Sequence, residues 1–532
     1  MAGETGFARS WRPDLSRAVV MLLLGGVLAG TAGFVVGSLG PDPGALPSPS
    51  LIAGQPGGST APGAGGSTQP SASSNGNVLP SLPPSGEPSA EPSGPPASGE
   101  PSPTASPSDT PGAARDVTMP IVPVVGFWST RTIISTDDLT AALRGTSERF
   151  RDVIVGAADR EAVGAALGIE IAASVRSGTV AEIRSAVREG ALGLLRAADV
   201  TPAVRALGID DRHLFGIRRT RDLARWPLLV TVAEPPDRVF DPATSWTLAA
   251  AGDVLLDRGV ARQVTILKKG VDFPFDGGRV EITGSRCCSA RGFEFPTYRR
   301  TGDKGAVRDL MKGADLAMIN LEGPVDDDFR YHDSGTVFHG DPKLLAGLKN
   351  AGIDYASLAN NHMGDAGPDG VLETVRGLDD LGVGNSGAGK DLDAAKQPAS
   401  YEINGVRIGV IGCDWIAPGY WARSNRVGTD PCSAKTLVPT IRAAAQVHDL
   451  VIVYPHWGIE YQPGPSAAQR RAASSWMKAG ADLILGNHPH WVQGFEEVQE
   501  GKFAFYALGN FVFDQMWQEN TMEGLILELT YS

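Results

Sequence analysis

The sequence predicts an α/β fold, and three observations point to it. From Ser245 onward, short apolar runs recur, and each ends in polar or ionisable residues. Helical segments such as "DPKLLAGLKNAG", "VLETVRGLDDLG" and "SAAQRRAASSWMKAG" lie between them, which is the rhythm of strands joined by crossover helices. Apolar residues make up 42% of the 532 positions, so a sizeable core is available and the length accommodates two or three domains.

The net charge is −13. That balance lacks the basic footprint of a nucleic-acid binder, and no nucleic-acid partner is expected. Residues 18–39, "AVVMLLLGGVLAGTAGFVVGSL", carry no charge, and about 20 apolar residues span a bilayer. Arg9, Arg12 and Arg17 precede the run and Asp42 follows it. The positive-inside bias therefore predicts a cytoplasmic tail (1–17), a single-pass transmembrane anchor (18–39) in the cell membrane and an extracytoplasmic remainder. A cleaved signal peptide is the rival reading, but its apolar region is normally about 7–15 residues. Residues 40–113 are dominated by Pro, Ser, Gly, Ala and Thr, a composition that cannot offset the entropy of ordering. A disordered tether is expected, with a reach on the order of 50 Å as a coil and up to roughly 200 Å if extended.

A small α/β domain is expected over 117–235. "MPIVPVVGFW" reads as a strand, Ser135 or Thr136 can cap the helix "DDLTAALRG", and the helical "VAEIRSAVREG" precedes the apolar "ALGLL". Over these hundred-odd residues the alternation resembles half of a periplasmic solute-binding domain, without a chemical motif.

The main domain is expected over 245–532. Its apolar runs end at Asp253, Glu322, His362, Asp414, His456, His490 and, in "FAFYALGNF", at Phe511. Ligands of α/β sheets bind at the carboxyl ends of strands, where loops converge. Four of the eight histidines (362, 456, 488 and 490), the acids Asp253 and Glu322, and the Asn360–Asn361 pair all fall at such ends. Carboxylate, amide oxygen and neutral imidazole form the mixed donor set that suits Mn²⁺, Fe²⁺ or Zn²⁺. In "GNHPHWVQG", His488 and His490 are two apart, so on extended backbone they project to one side, and Pro489 favours extended backbone at His488. Two rings at that spacing can serve neighbouring metals. In an exported domain Cys287, Cys288, Cys413 and Cys432 can form disulfides; Cys413 to Cys432 is the local pairing, though sequence does not choose among the three. A free-thiol catalyst has no basic partner in the sequence.

The motifs "AGDVLLDR", "INLEGPV", "LANNHMGDAG", "YPHWGIEY", "GNHPHWVQG" and "ALGNFVFDQ", in this order over roughly Ser245 to Leu529, resemble the CapA poly-γ-glutamate capsule-biosynthesis family, a branch of the calcineurin-like metallophosphoesterases. The resemblance implies a sandwich of two packed sheets flanked by helices, with a site for two divalent ions. By it, Asp253 binds one metal, Glu322 bridges both, and Asn361, His456, His488 and His490 complete the shells. His362 is the catalytic general acid or substrate-orienting group, and Asn360 and Arg258 contact an anionic substrate. Two departures stand out: Leu255 occupies the position where phosphoesterases carry a second histidine, and Asn487 stands where the family often has a small residue or His. Two cations about 3.5–4 Å apart can clamp the attacking and leaving oxygens of a displacement, and their charge offsets an acidic chain's repulsion of an anionic substrate.

Other features read more plainly. "GVGNSGAGKD" lacks the phosphate-loop spacing and is expected to be a Gly-rich turn. Trp457, Glu460 and Tyr461 are read either as a substrate groove or as packing around the ligands. His339 is expected on a surface loop, and His213, His332 and His448 have no supporting context. Asn510 and Asp514 are expected to support the site from behind. "RVEITGSRCCSARGFEFPTYRR" reads as an insertion at the site rim, either solvated or holding an anionic chain.

The resulting expectation is an exported, membrane-anchored metal-dependent hydrolase in poly-γ-glutamate or capsule biosynthesis. Its partners would be an anionic polymer or phosphoester substrate, the membrane, and a membrane synthase complex. The alternatives are a non-catalytic metal-binding accessory subunit of a polymer synthase or exporter, and a small domain that senses a ligand to control the metal domain.

Overall fold

A computed structural model describes residues 117–232, 238, 240–278, 280–286, 295–302 and 304–532. The expected tail, anchor and tether (1–113) and Cys287–Cys288 lie outside the described residues. Among those described, no helix is long and apolar enough to cross a membrane.

The small lobe holds strands Val117–Gly126 (β1), Val153–Gly156 (β2), Arg176–Gly178 (β3), Leu192–Arg196 (β4), Val204–Ala206 (β5) and Leu229–Val232 (β6). They form one sheet in the order β3-β2-β4-β1-β5, with β6 also on β1. Helix Thr136–Leu143 starts where its chemistry says it should, because Ser135 accepts a hydrogen bond from the Asp138 amide. Helix Val180–Arg188 is opened by a capping box between Thr179 and Glu182.

The main domain contains Trp246–Val254 (β7), Leu316–Leu321 (β8), Tyr355–Ser357 (β9), Gly384–Ser386 (β10), Ala399–Ile403 (β11), Val406–Asp414 (β12), Leu450–His456 (β13), Leu483–Leu485 (β14), Phe495–Gln499 (β15), Lys502–Phe505 (β16), Asn510–Val512 (β17) and Leu527–Tyr531 (β18). One sheet runs β10-β9-β8-β7-β17, with β18 antiparallel on β7, and the other runs β11-β12-β13-β14-β16-β15. The neighbours β7, β8, β9, β10 and β17 are mutually parallel, as are β12, β13, β14 and β16.

Strand alternation builds the layers. Leu248, Ala250, Leu316 and Met318 from one sheet pack with Ile408, Val410, Ile452 and Tyr454 from the other. Their neighbours Ala249, Ala251, Ala317 and Ile319 face the other way, against Leu348 and Leu378. Val451, Val453 and Ile484 meet Ile441, Ala473 and Trp476 of helices Leu437–Val447 and Ala467–Ala479. The result is two packed sheets with helices on both outer faces.

Two expectations are corrected. "FAFYALGNF" is not one strand: β16 belongs to the second sheet and β17 to the first. The break falls at Gly509, which has φ +73°, and a Cβ on the facing Gly252 would collide with the Gly509 carbonyl. Only Gly tolerates that crossing. The His488–His490 segment is not extended either, since β14 ends at Leu485 and both histidines have positive φ, 94° and 58°. The rim segment contains an antiparallel hairpin of Val280–Arg286 with Phe295–Arg300. Of the three cysteine pairings, Cys413–Cys432 is formed, beside the last residue of β12.

Candidate metal centre

Parallel strands deliver the acids and imidazoles to one end of the sandwich. Asp253 is the penultimate residue of β7, Glu322 follows β8, and His456 ends β13. The Asn360–His362 turn follows β9, and His488 and His490 follow β14.

Glu322 is the centre of the group. It is buried, and neither carboxylate oxygen has a hydrogen-bond partner. Its Oε1 lies 3.8 Å from His456 Nε2, 3.8 Å from His490 Nε2 and 3.9 Å from His362 Nε2. These separations are too long for hydrogen bonds. They suit donors around a shared ion, because two ligands each about 2.1 Å from one metal stand about 3–4 Å apart. Asp253, Glu322 and His490 bring one donor atom each within 4.8 Å of one another. A buried carboxylate with no partner is costly unless a cation compensates it, so the residues present fit a bound divalent ion.

The surrounding groups orient these donors. Asn320 donates from Nδ2 to Asp253 Oδ1 at 2.8 Å and lies 3.3 Å from His456 Nδ1. The His488 amide donates to Asp253 Oδ2. His490 Nδ1 is 2.9 Å from Asn510 Oδ1, and the Asn510 amide nitrogen donates to the Thr521 carbonyl and the Gln515 side chain. Asn510 thus presents its oxygen to His490, which leaves Nε2 facing Glu322. His488 Nδ1 and His456 Nε2 stand 3.2 Å apart.

Burial, followed by the charges of neighbouring histidines, lowers His456 and holds His488 down at about 3. Both imidazoles are therefore neutral, the form that binds metal. Burial opposes the charge on His490 too, but the carboxylates of Glu322 and Asp253 outweigh it and raise that ring to about 9 in the absence of metal, so an ion ligated there would displace its proton. Burial, then the Asp253 charge, pushes Glu322 well above the carboxylate range.

His362 stands at the edge. Its Nδ1 is 2.8 Å from Asp365 Oδ2, and its ring stacks on Phe338 with centroids 3.9 Å apart. Asp365 also accepts from the Phe338 amide and the Tyr420 hydroxyl. Asn361 Oδ1 is buried without a hydrogen-bond partner on the same turn.

The two residues expected to contact substrate are placed differently. Asn360 is fully buried, donates to the Leu321 carbonyl and accepts from the His362 amide, so it braces the turn and does not line a cavity. Arg258 is nearly buried, paired with Asp514 and bonded to the Gly335 carbonyl, with its guanidinium 4.7 Å from the Phe338 ring centre. It supports the face of Phe338 that backs His362. Asp514 accordingly holds Arg258 and the Gly259 amide.

Trp457 is buried and stacks on Trp476, whereas Tyr461 stacks on His490 with centroids 5.9 Å apart. His339 is not a bare loop residue, since it lies 3.2 Å from the Asp365 carbonyl and 3.3 Å from Asp326. His332 pairs with Asp257, and His448 with Ser400. Sequence reading missed Asn320 and Asp365. Asn320 was findable as the residue two before Glu322, near the end of the same apolar run.

The fold and site define an α/β protein with a buried carboxylate–imidazole centre suited to a metal ion. Residues 247–515, half of the chain, match the family described as bacterial capsule synthesis protein PGA_cap, and the chain belongs to that family. It is 34% identical over 236 residues to the PGA biosynthesis protein CapA of Bacillus subtilis (strain 168), covering 42% of this chain and 62% of that one. The capsule biosynthesis protein CapA of Bacillus anthracis is 34% identical over 229 residues, covering 41% and 56%. The chain thus spans less than two thirds of the length of these relatives. A protein of Mycobacterium tuberculosis (strain CDC 1551 / Oshkosh) named "Probable polyglutamine synthesis accessory protein" is 28% identical over 38% of this chain and 56% of its own. Among solved structures, the Haemophilus influenzae NAD nucleotidase aligns at 14% identity over 54% of this chain and 53% of its own, with TM-score 0.31. A phosphate transport receptor from Vibrio cholerae aligns over 24% and 62% at 13% identity, with TM-score 0.20. Likenesses of that size carry nothing for the chemistry of this chain.

Proposed function

We propose that this chain is an exported, membrane-tethered, metal-dependent hydrolase that acts in making or trimming poly-γ-glutamate or a similar anionic cell-surface polymer. We read its fold as the calcineurin-like metallophosphoesterase sandwich. The observation that carries the reading is Glu322, a buried carboxylate without hydrogen bonds and with three imidazole nitrogens at 3.8–3.9 Å. Asp253, Glu322, Asn361, His456, His488 and His490 are the proposed ligands of two divalent ions. Those ions, when bound, would polarise the scissile group and supply an activated water.

The chain's own part is positioning and proton transfer. Asp365 fixes Nδ1 of His362 and directs Nε2 toward Glu322. A protonated Nε2 can hand its proton to the leaving oxygen or nitrogen as the bond breaks, while water supplies the hydroxyl to the other product. Phe338, backed by Arg258, covers one face of that imidazole. The names of the Bacillus relatives favour the polymer as substrate, and the accessory designation of the mycobacterial relative favours a non-catalytic metal-binding subunit as the second reading.

The test is to incubate the purified chain with Mn²⁺ and either a phosphodiester or a γ-glutamyl substrate, alongside His362→Ala. Hydrolysis by the native chain, lost in His362→Ala while metal content is retained, supports the hydrolase. Bound metal without turnover on either substrate supports the accessory reading instead.

A further inference from the structure

The small lobe meets the main domain through the stretch "DRHLFGIRRTRDLAR", residues 211–225. It places five arginines within fifteen positions of a chain whose net charge is −13. Docking accounts for two of them. The Arg219 side chain is 3% exposed; it donates to Thr247 Oγ1 and the Ser245 carbonyl and pairs with Asp315 at 2.7 Å. Arg221 reaches the same carbonyl and the other oxygen of Asp315.

The other three have no such duty. Among the described residues Arg212 pairs with its neighbour Asp211, with both side chains well exposed, and Arg225 stands 4.0 Å from Asp222 on open surface. Arg218 has no ion pair among the described residues, although the Glu528 carboxylate feels its charge. These groups, with His213 and Thr220, line a cleft of about 450 Å³, a volume within the range of about 300–1,000 Å³ usual for ligand sites. Five arginines stand against Asp211 and Asp222 in the lining and Asp315 behind it, which leaves the cleft positive by two charges. Burial and the nearby Arg218 charge keep His213 from adding to that charge.

The lining also says what does not bind. It contains no aliphatic side chain and no aromatic ring except the His213 imidazole. Base stacking has no platform there, and an acyl chain or apolar peptide has nothing to pack on. Guanidinium forks pair with carboxylate or phosphate in bidentate fashion, and several forks along one open cleft suit an anion of repeated charges better than a single small one. The location separates this cleft from the metal centre. Asp315 precedes β8 and Glu322 follows it, so the two lie at opposite ends of a six-residue strand, roughly 20 Å apart at about 3.3 Å per residue.

We propose that this arginine cleft is a second binding site, for a polycarboxylate chain, that holds polymer at the amino ends of the strands while chemistry belongs to their carboxyl ends. The identity of the polymer rests on the proposed function; the cleft and its charge do not.

The test measures binding of fluorescent poly-γ-glutamate to the full chain, depleted of metal by a chelator, with inorganic phosphate and neutral dextran as competitors. The expected result is binding that weakens with salt, resists dextran and needs far more phosphate than polymer for displacement. Arg218→Glu with Arg225→Glu is expected to weaken it at least tenfold. The milder Arg212→Gln with Arg225→Gln, both at exposed positions, is expected to weaken it several-fold with an unchanged melting curve. Unaltered affinity in both double variants overturns the proposal, and so does displacement by phosphate at equal charge concentration. Failure of the hydrolase reading shows separately, as absent cleavage by a metal-loaded chain that still binds polymer through the cleft.

Discussion

The Asp365 carboxylate stands 2.8 Å from His362 Nδ1 and, through its two oxygens, also fixes the Phe338 amide and the Tyr420 hydroxyl. One side chain therefore holds the imidazole on its own turn and the separate loop that carries the ring it stacks on. In Asp365→Asn the His362 ring loses the acceptor that holds its Nδ1 proton. Turnover is expected to fall roughly 10²-fold, within the range general acid–base groups contribute, while elemental analysis finds the metal content of the native chain.

Glu322 predicts an opposite pair of effects. Its buried carboxylate is compensated by no hydrogen bond and lies close to the Asp253 charge. Glu322→Gln is expected to cut metal uptake at least tenfold and, in chelator-treated protein near neutral pH, to raise the melting temperature by a few degrees, because the amide removes the need to take up a proton on folding. Metal content and thermal melts of the two chains check both halves.

The Cys413–Cys432 bond closes a loop with a sequence separation of 19. Constraining a loop of that size contributes about 3 kcal/mol through the unfolded state. It also sits beside Asp414, which faces His456 across β12 and β13. Replacing both cysteines by serine is expected to lower the unfolding free energy from denaturant titration by that amount and to reduce turnover, and the same measurements on the native chain under reductant should reproduce the variant.

Asp430 gives a pH signature from a carboxyl outside the proposed ligand set. It is buried, neither side-chain oxygen has a partner, and burial, only partly relieved by the Lys396 charge, raises its carboxyl to about 8. Below about pH 4 both folded and unfolded chains hold this proton, and the group is neutral to stability. Between about 4 and 8 the unfolded chain releases it and the folded chain keeps it, so stability declines as pH rises, and the full loss is present above 8. Asp430→Asn is therefore expected to melt several degrees above the native chain at pH 8 and level with it at pH 4.

Much of this was legible because the periodicity of 2 along each strand tells which side chains share a face. Asp253, Glu322 and His456 could be placed at strand ends from their positions after apolar runs. For the histidines after β14 the local reason differs from the expected one: their rings stand 6.2 Å apart on left-handed backbone, not by alternation along a strand. Nothing in the Pro489 preference signals that, because the conformation is imposed by contacts from other strands, such as the Asp253 oxygen that takes the His488 amide. The partners that Arg258 and Asn360 find within the chain were illegible for a related cause. A motif shows which polar residues gather near a site, but whether each is engaged by Asp514 or by a main-chain carbonyl depends on partners 256 and 39 positions away.

Four of the seven non-glycine residues with positive φ among the described positions are Arg258, Tyr461, His488 and His490. Each such residue is strained by about 1–3 kcal/mol, which glycine would relieve. Arg258, His488 and His490 are nevertheless buried and partnered, and emptying such a site costs about 2–5 kcal/mol, so glycine at these three positions is expected to relax the backbone and still lower the melting temperature.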